Sequence, residues 1–182
     1  MPQTQTQILL QYGSNPFKWK MKDLDGRLAC TVEDVGRNPN VIIRLTREMP
    51  WTQQHACIMG PDNSFYYLGP ENRPGYIIYG SSPTHIPMVN LMKKKSIHST
   101  SRYFTTLGGK EYKWKKTTTN NNKKMECIEG RTTLLAVWEL SSSDKEHSAI
   151  LTIKPAGMSI VTEILTTLSL NLMAQSMHWS DS

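Results

Sequence analysis

Short stretches in which apolar and polar residues alternate fill the chain as far as Pro155, and a long apolar stripe of helical spacing follows. Phe17-Lys18-Trp19-Lys20-Met21-Lys22 alternates without a break. Phe17, Trp19 and Met21 therefore belong to a core face, and Lys18, Lys20 and Lys22 to solvent. Asp25-Gly26 offers a hairpin turn into a second strand over 27–32. The same pattern predicts strands over 40–46, 55–59, 64–68, 75–79 and 85–92, then over 125–128, 132–140 and 149–154. About ten short strands bounded by Pro, Gly, Asn, Asp and Ser predict an antiparallel sheet, closed or nearly closed.

A second lysine-rich alternation, KEYKWKK over 110–116, follows Gly108-Gly109. A two-residue turn there would pair Leu107 with Lys110, Thr105 with Tyr112 and Tyr103 with Trp114 on an aromatic inner face. The outer face would then pair Arg102 with Lys115, Phe104 with Lys113 and Thr106 with Glu111. Like charges directly opposite each other are destabilising unless an anion answers them. The following TTTNNNKK, 117–124, has no periodicity or apolar anchor and reads as a flexible loop.

MSIVTEILTTLSLNLMAQSMHW carries Glu163 as its one charge and has neither proline nor glycine. It predicts a helix over 158–178 with Ser159 as N-cap. Ile160, Val161, Ile164, Leu165, Leu168 and Leu172 form one stripe; Leu170, Met173, Ala174 and Met177 extend apolarity around the far end. Such a helix is buried on most sides. A membrane span of that length is the rival reading. Against it stand the many Thr, Ser, Asn and Gln residues and the lack of a flanking basic cluster.

SRYFTTLGGKEYKWKK, CIEGRTTLLAVWEL and LTIKPAGMSIVTEILTTLSL resemble a family of small proteins of unknown function from mushroom-forming fungi, most clearly over 99–175. In plan the chain is similar to the tubby, phospholipid scramblase and LURP-one-related barrels, on strand count and the terminal helix. That likeness implies a single tubby-like domain over 1–182, a barrel of about 10–12 antiparallel strands wrapped around the C-terminal helix. No tubby phosphoinositide motif can be placed residue by residue, and no scramblase-like cysteine cluster or calcium-binding stretch is present.

Charge narrows the choice of partners. Lys and Arg outnumber Asp and Glu by 21 to 15, a formal net charge of +6. This favours phospholipid headgroups, nucleic acid or acidic proteins. Three scattered cysteines without a Cys-x-x-Cys pair, and an N-terminus with neither a basic start nor a long apolar run, predict a cytoplasmic protein without a disulfide framework.

The motifs for chemistry are few. His55-x-Cys57 would share a strand face, but three or four converging metal ligands cannot be assembled. Asp23-Leu24-Asp25-Gly26 opens like a calcium loop and lacks its closing acid, so it reads as a turn. Phe65, Tyr66, Tyr67, Tyr76 and Tyr79 could line a pocket at a barrel rim or serve as strand aromatics.

The sequence thus predicts a non-catalytic binding module for an anionic surface, phospholipid headgroups first. Arg102, Lys113, Lys115, Lys116, Lys123 and Lys124 would supply the charges, with Lys93-Lys94-Lys95 a further cluster. The same lysines also suit a solvated outer face. An enzyme acting on a small molecule at a rim pocket is the alternative. Nucleic acid ranks below both, because the aromatics that would stack on bases are committed to the core. No cofactor or metal is implied, and no pattern sets an oligomeric state.

Overall fold

A computed structural model describes residues 5–119 and 122–179. It contains β1 (Gln7–Asn15), β2 (Lys18–Asp23), β3 (Leu28–Arg37), β4 (Val41–Arg47), β5 (Asn63–Tyr67), β6 (Tyr76–Tyr79) and β7 (Ile86–Pro87). The second half adds β8 (Ser101–Thr105), β9 (Glu111–Thr119), β10 (Asn122–Glu129), β11 (Thr133–Leu140) and β12 (Ala149–Ile153). A one-turn helix, α1 (Met49–Thr52), follows β4, and the long helix α2 (Val161–Ser176) ends the fold.

All twelve strands are antiparallel and form one sheet, in the order β7-β6-β5-β4-β3-β2-β1-β12-β11-β10-β9-β8. Two meanders are therefore sewn together where β1 pairs β12, Gln7 opposite Ile153 and Gln11 opposite Ala149. The edges β7 and β8 do not form a ladder with each other. A 3-10 turn over Met88–Leu91 leads away from β7, and a single bridge from Lys93 to Tyr103 ties the chain to β8. The sheet curls around α2 without closing its hydrogen bonding.

Strand parity follows the sequence. Trp19 and Met21 are buried and Lys18 and Lys20 exposed, as the alternation of β2 dictates. β1 is the strand that the pattern hides. Its Ile8-Leu9-Leu10 run does not alternate in sequence, and the buried position after Leu9 is the polar Gln11, while Ile8 and Leu10 are half-buried on the other face. Inside it, buried Gln11 accepts a 2.9 Å bond from the Trp138 indole.

Three other expectations are corrected. Residues 55–59 are not a strand: His55 ends the turn after α1, with its ring 4.7 Å from Trp51. The 85–92 segment holds only the two-residue β7 before the chain tightens into the 3-10 turn. The lysine and threonine tail of KEYKWKKTTTNNNKK is strand rather than loop, paired from Glu129↔Tyr112 as far as Asn122↔Thr119. Threonine suits a pleated surface, and here a neighbouring strand supplies the order that periodicity alone does not reveal. Positions 120 and 121 of that expected loop lie outside the described residues.

The turn after β8 decides a register. Thr106 N–H donates to Lys110 O at 2.9 Å, so Leu107-Gly108-Gly109 forms a three-residue loop, with Gly109 at φ +82° in the left-handed position such loops require. Leu24-Asp25-Gly26 repeats this geometry between β2 and β3. The extra loop residue shifts the pairing to Arg102↔Trp114, Tyr103↔Lys113 and Phe104↔Tyr112, one residue away from the two-residue-turn register. Such a slip moves the residues of β8 to opposite faces. Phe104 is therefore buried and Tyr103 lies outside.

The helix starts later than its composition predicts. Pro155–Ile160 form a 3-10 segment, and Ile160, not Ser159, is the N-cap, without a side-chain cap bond. Leu165 and Leu168 are fully buried, whereas Leu172 is half-buried near the end. By length and composition Pro155–Ser176 could cross a membrane, yet 78% of its apolar window is buried within the protein. Its polar groups are held by strands on both sides. Tyr66 donates to Thr166 O at 2.8 Å, and the Trp114 indole donates to Thr167 Oγ1 at 2.8 Å.

Candidate functional site

Strand parity and register together determine where the cations point. In β9, Tyr112 and Trp114 face inward, so Lys116 is the next inward position and stands opposite buried Met125. Lys123 lies two residues before Met125 on that same face of β10. Arg102 stands opposite Trp114 on the inner face of β8. Three cations from three adjacent strands thus turn toward the axis, beyond the last buried aromatic of β9.

The interior is not filled there, because α2 ends at Ser176 and its last turns carry the small or polar residues Asn171, Ala174 and Gln175. A cleft of about 460 Å³ remains, lined by Arg102, Lys116, Lys123, Lys124, Asn171 and His178 among others. A second cleft of about 480 Å³ lies beside it, lined by Val89, Met92, Ile97 and the Lys93-Lys94-Lys95 run. Arg102, Ala174 and Trp179 wall both. The Trp179 indole donates to Asn72 O at 2.8 Å, which ties the end of the chain across this mouth.

The charges at the mouth are partly answered. Lys95 bonds Glu111 at 2.6 Å, and this bond holds its ammonium above the ordinary lysine pKa. Lys124 pairs Glu126 at 3.2 Å. Lys93 and Lys123 have no ion pair among the described residues. The carboxyl end of α2 carries about half a negative charge and favours cations nearby. Several converging cations exceed that demand. Beside them Ile97 is 88% exposed and Val89 48% exposed, an unfavourable position for apolar side chains unless something covers them.

Four of the six residues singled out in the sequence, Arg102, Lys116, Lys123 and Lys124, come together at this cleft. Lys113 and Lys115 do not: they lie on the outer face. The expected opposition of Arg102 and Lys115 is replaced by Ser101 opposite Lys115, so no like-charge pair there calls for an anion. Tyr103 sits on the outer face instead, with the Lys95 ammonium 4.1 Å and the Lys113 ammonium 5.8 Å from its ring centroid. Val89 and Met92 fall in the stretch that the pattern assigns to a strand over 85–92, and Trp179 lies past the apolar stripe of the helix, so none of the three reads as a cleft residue. The exposed apolar residues flanking the Lys93-Lys94-Lys95 run were the available signal.

The other candidates resolve into structure. Tyr66 and Tyr79 are buried, while Tyr67 stacks on Tyr76 at 4.9 Å and Tyr76 on His85 at 4.6 Å, so the tyrosines build no shared pocket. Asp23 accepts from the backbone N–H groups of Asp25 and Arg27 and pairs the Arg27 guanidinium at 2.8 Å, which makes that motif a turn. Burial pushes the Cys30 and Cys127 thiols up and the His55 imidazole down. Among the described residues no three His, Cys, Asp or Glu gather as metal ligands.

Fold and mouth together define a class: an open twelve-stranded antiparallel sheet around a C-terminal helix, with a basic cleft where that helix ends. The chain belongs to a family of unknown function, DUF6593, whose sequence profile matches residues 72–171. That span runs from just before β6 into α2 and includes every cleft lysine and arginine named above. Comparison with curated proteins returned no match, and comparison with solved structures returned none.

Proposed function

We propose that the protein is a non-catalytic module that binds anionic phospholipid headgroups through the mouth of the sheet. The observation that carries this reading is the convergence of Arg102, Lys116 and Lys123 from three strands on one cleft, with Lys93 and Lys94 on the adjoining one. Each lysine or arginine near an anionic surface contributes on the order of 1 kcal/mol, so a cluster suffices for measurable binding. Exposed Ile97 and Val89 flank the lysines, an arrangement suited to the apolar boundary beneath headgroups. Among the described residues no carboxylate or thiol lines either cleft, which favours binding over chemistry that needs such a group at the rim. Three free cysteines agree with a cytoplasmic location, and the strand count and enclosed helix agree with kinship to tubby-like barrels of fungal proteins.

The test is sedimentation with vesicles containing anionic lipid at roughly 50 and 300 mM salt, where screening must weaken an electrostatic contact. Arg102, Lys116 and Lys123 changed together to glutamate should abolish co-sedimentation. The outer pair Lys113→Glu and Lys115→Glu should retain most of it. Wild-type protein that stays in the supernatant at low salt would overturn the reading.

A further inference from the structure

The two adjoining clefts differ in chemistry. One is cationic and amide-lined, through Arg102, Lys116, Lys123 and Asn171; the other has an apolar wall of Val89, Met92 and Ile97. Arg102 belongs to both, so a group held by its guanidinium stands at the junction. At about 480 and 460 Å³ each cleft has the size of a small-molecule site rather than of a flat docking face. The lysine stems of residues 93–95 add apolar length to the second cleft. One cleft is suited to an acid and the other to a hydrocarbon chain; apart from the shared Ala174 and Trp179, the apolar residues of the polar cleft are Met125 and Trp138, which are buried and leave little surface for a second chain.

We propose that the mouth takes up one anionic single-chain amphiphile, with its carboxylate or phosphate on Arg102, Lys116 and Lys123 and its chain against Val89, Met92 and Ile97. This rests on the anionic-lipid reading and narrows it, from a bilayer that the protein touches to a lipid monomer that it holds. Trp179 is the wall between the two parts, and its indole bond to Asn72 sets that wall in place. Displacing the ring would widen the passage between the clefts.

The experiment uses the full chain, with oleate and 1-oleoyl-lysophosphatidate below their critical micelle concentrations, followed by native mass spectrometry and calorimetry. The two lipids distinguish a carboxylate from a phosphate head. Glycerol 3-phosphate supplies a head without a chain, and monooleoylglycerol a chain without charge. A one-to-one complex with at least one acid is expected, and each comparator should bind at least about tenfold more weakly. Arg102→Gln should weaken acid binding about tenfold and leave monooleoylglycerol unchanged, because only the charged contact is lost. Ile97→Ser, at an exposed position that the fold does not need, should weaken every chain-bearing ligand and leave glycerol 3-phosphate unchanged.

Vesicle binding measured alongside separates the two claims. Protein that sediments with anionic vesicles but forms no complex with either acid overturns this inference and leaves the surface reading in place. Failure of both assays overturns both. Glycerol 3-phosphate binding as tightly as lysophosphatidate, or Ile97→Ser without effect on any ligand, overturns the assignment of a chain to the second cleft.

Discussion

The two ends of α2 meet the sheet in opposite ways. At the amino end, Thr162 Oγ1 accepts from Arg47 Nη1 at 2.6 Å and donates to Pro61 O at 3.1 Å. The Arg47 side chain is only 3% exposed, and it reaches Asp62 at 2.8 Å and Met59 O at 3.2 Å. Polar groups of helix and strand meet one another there around a buried guanidinium, with Arg47 Nε left without a partner and the Asp62 carboxylate 63% exposed. At the carboxyl end, Ala174, Gln175 and His178 line a cleft with Arg102, Lys116, Lys123 and Lys124. Polar residues on a buried helix therefore carry two meanings: bonded to a buried arginine they are architecture, and beside an open basic cleft they suit a ligand.

The largest effect should come from the segment between these ends. Leu168→Ala, at a fully buried position, is expected to cost about 2–5 kcal/mol, because a cavity opens where strands cannot collapse. Chemical denaturation would measure it; a loss below the range for surface substitutions would break the picture of an enclosed helix. Next comes the closed end. Arg47→Met removes charge-assisted bonds to Asp62 and Thr162 and should cost roughly 2–4 kcal/mol, read the same way. Trp114→Phe keeps an aromatic ring but loses the indole bond to Thr167 and part of the buried volume, so roughly 1–3 kcal/mol is expected.

Titration sharpens the contrast further. Burial raises the Glu163 carboxyl above the ordinary range, against smaller opposing effects from backbone hydrogen bonds, including one to Leu107, and from Arg47. A carboxyl whose pKa is higher folded than unfolded favours folding while protonated, and that contribution is lost as pH rises through the folded value. Glu163→Gln should therefore raise the melting temperature near pH 7, with the gain shrinking as pH falls through the folded value and gone below the unfolded carboxyl range; a gain independent of pH would refute the burial account. The smallest stability change belongs to the mouth. Lys116→Met should alter stability by about 0.5 kcal/mol or less while reducing vesicle binding, a separation that no residue of the closed end should show.

Much of this was legible beforehand, and the failures share a cause. Trp19, Met21, Tyr112 and Trp114 sit inside, as two-residue alternation requires, and the nearly uncharged helix lies in the centre. The cation cluster was visible as composition. Its geometry was not: Arg102 was expected outside and stands inside, because one additional loop residue at Gly109 changes every facing of β8. The 117–124 stretch was misjudged for a related reason, since its order comes from a partner strand rather than from its own pattern. Trp179 lies beyond the apolar stripe, and its indole is held by Asn72, 107 residues earlier.

By itself, then, the sequence determined which residues of each strand share a face, that the terminal helix is apolar nearly all round, and that the surface is basic. These properties depend on neighbours two to four positions away, and local periodicity encodes them. The tertiary structure alone decided the strand order, the register of β8 on β9, the gap between β7 and β8, and how far α2 reaches along the axis. Those depend on loop geometry and on contacts between residues distant in the chain. The clefts exist because the inward cations of β8, β9 and β10 continue past the point where the helix runs out of apolar side chains to fill the space.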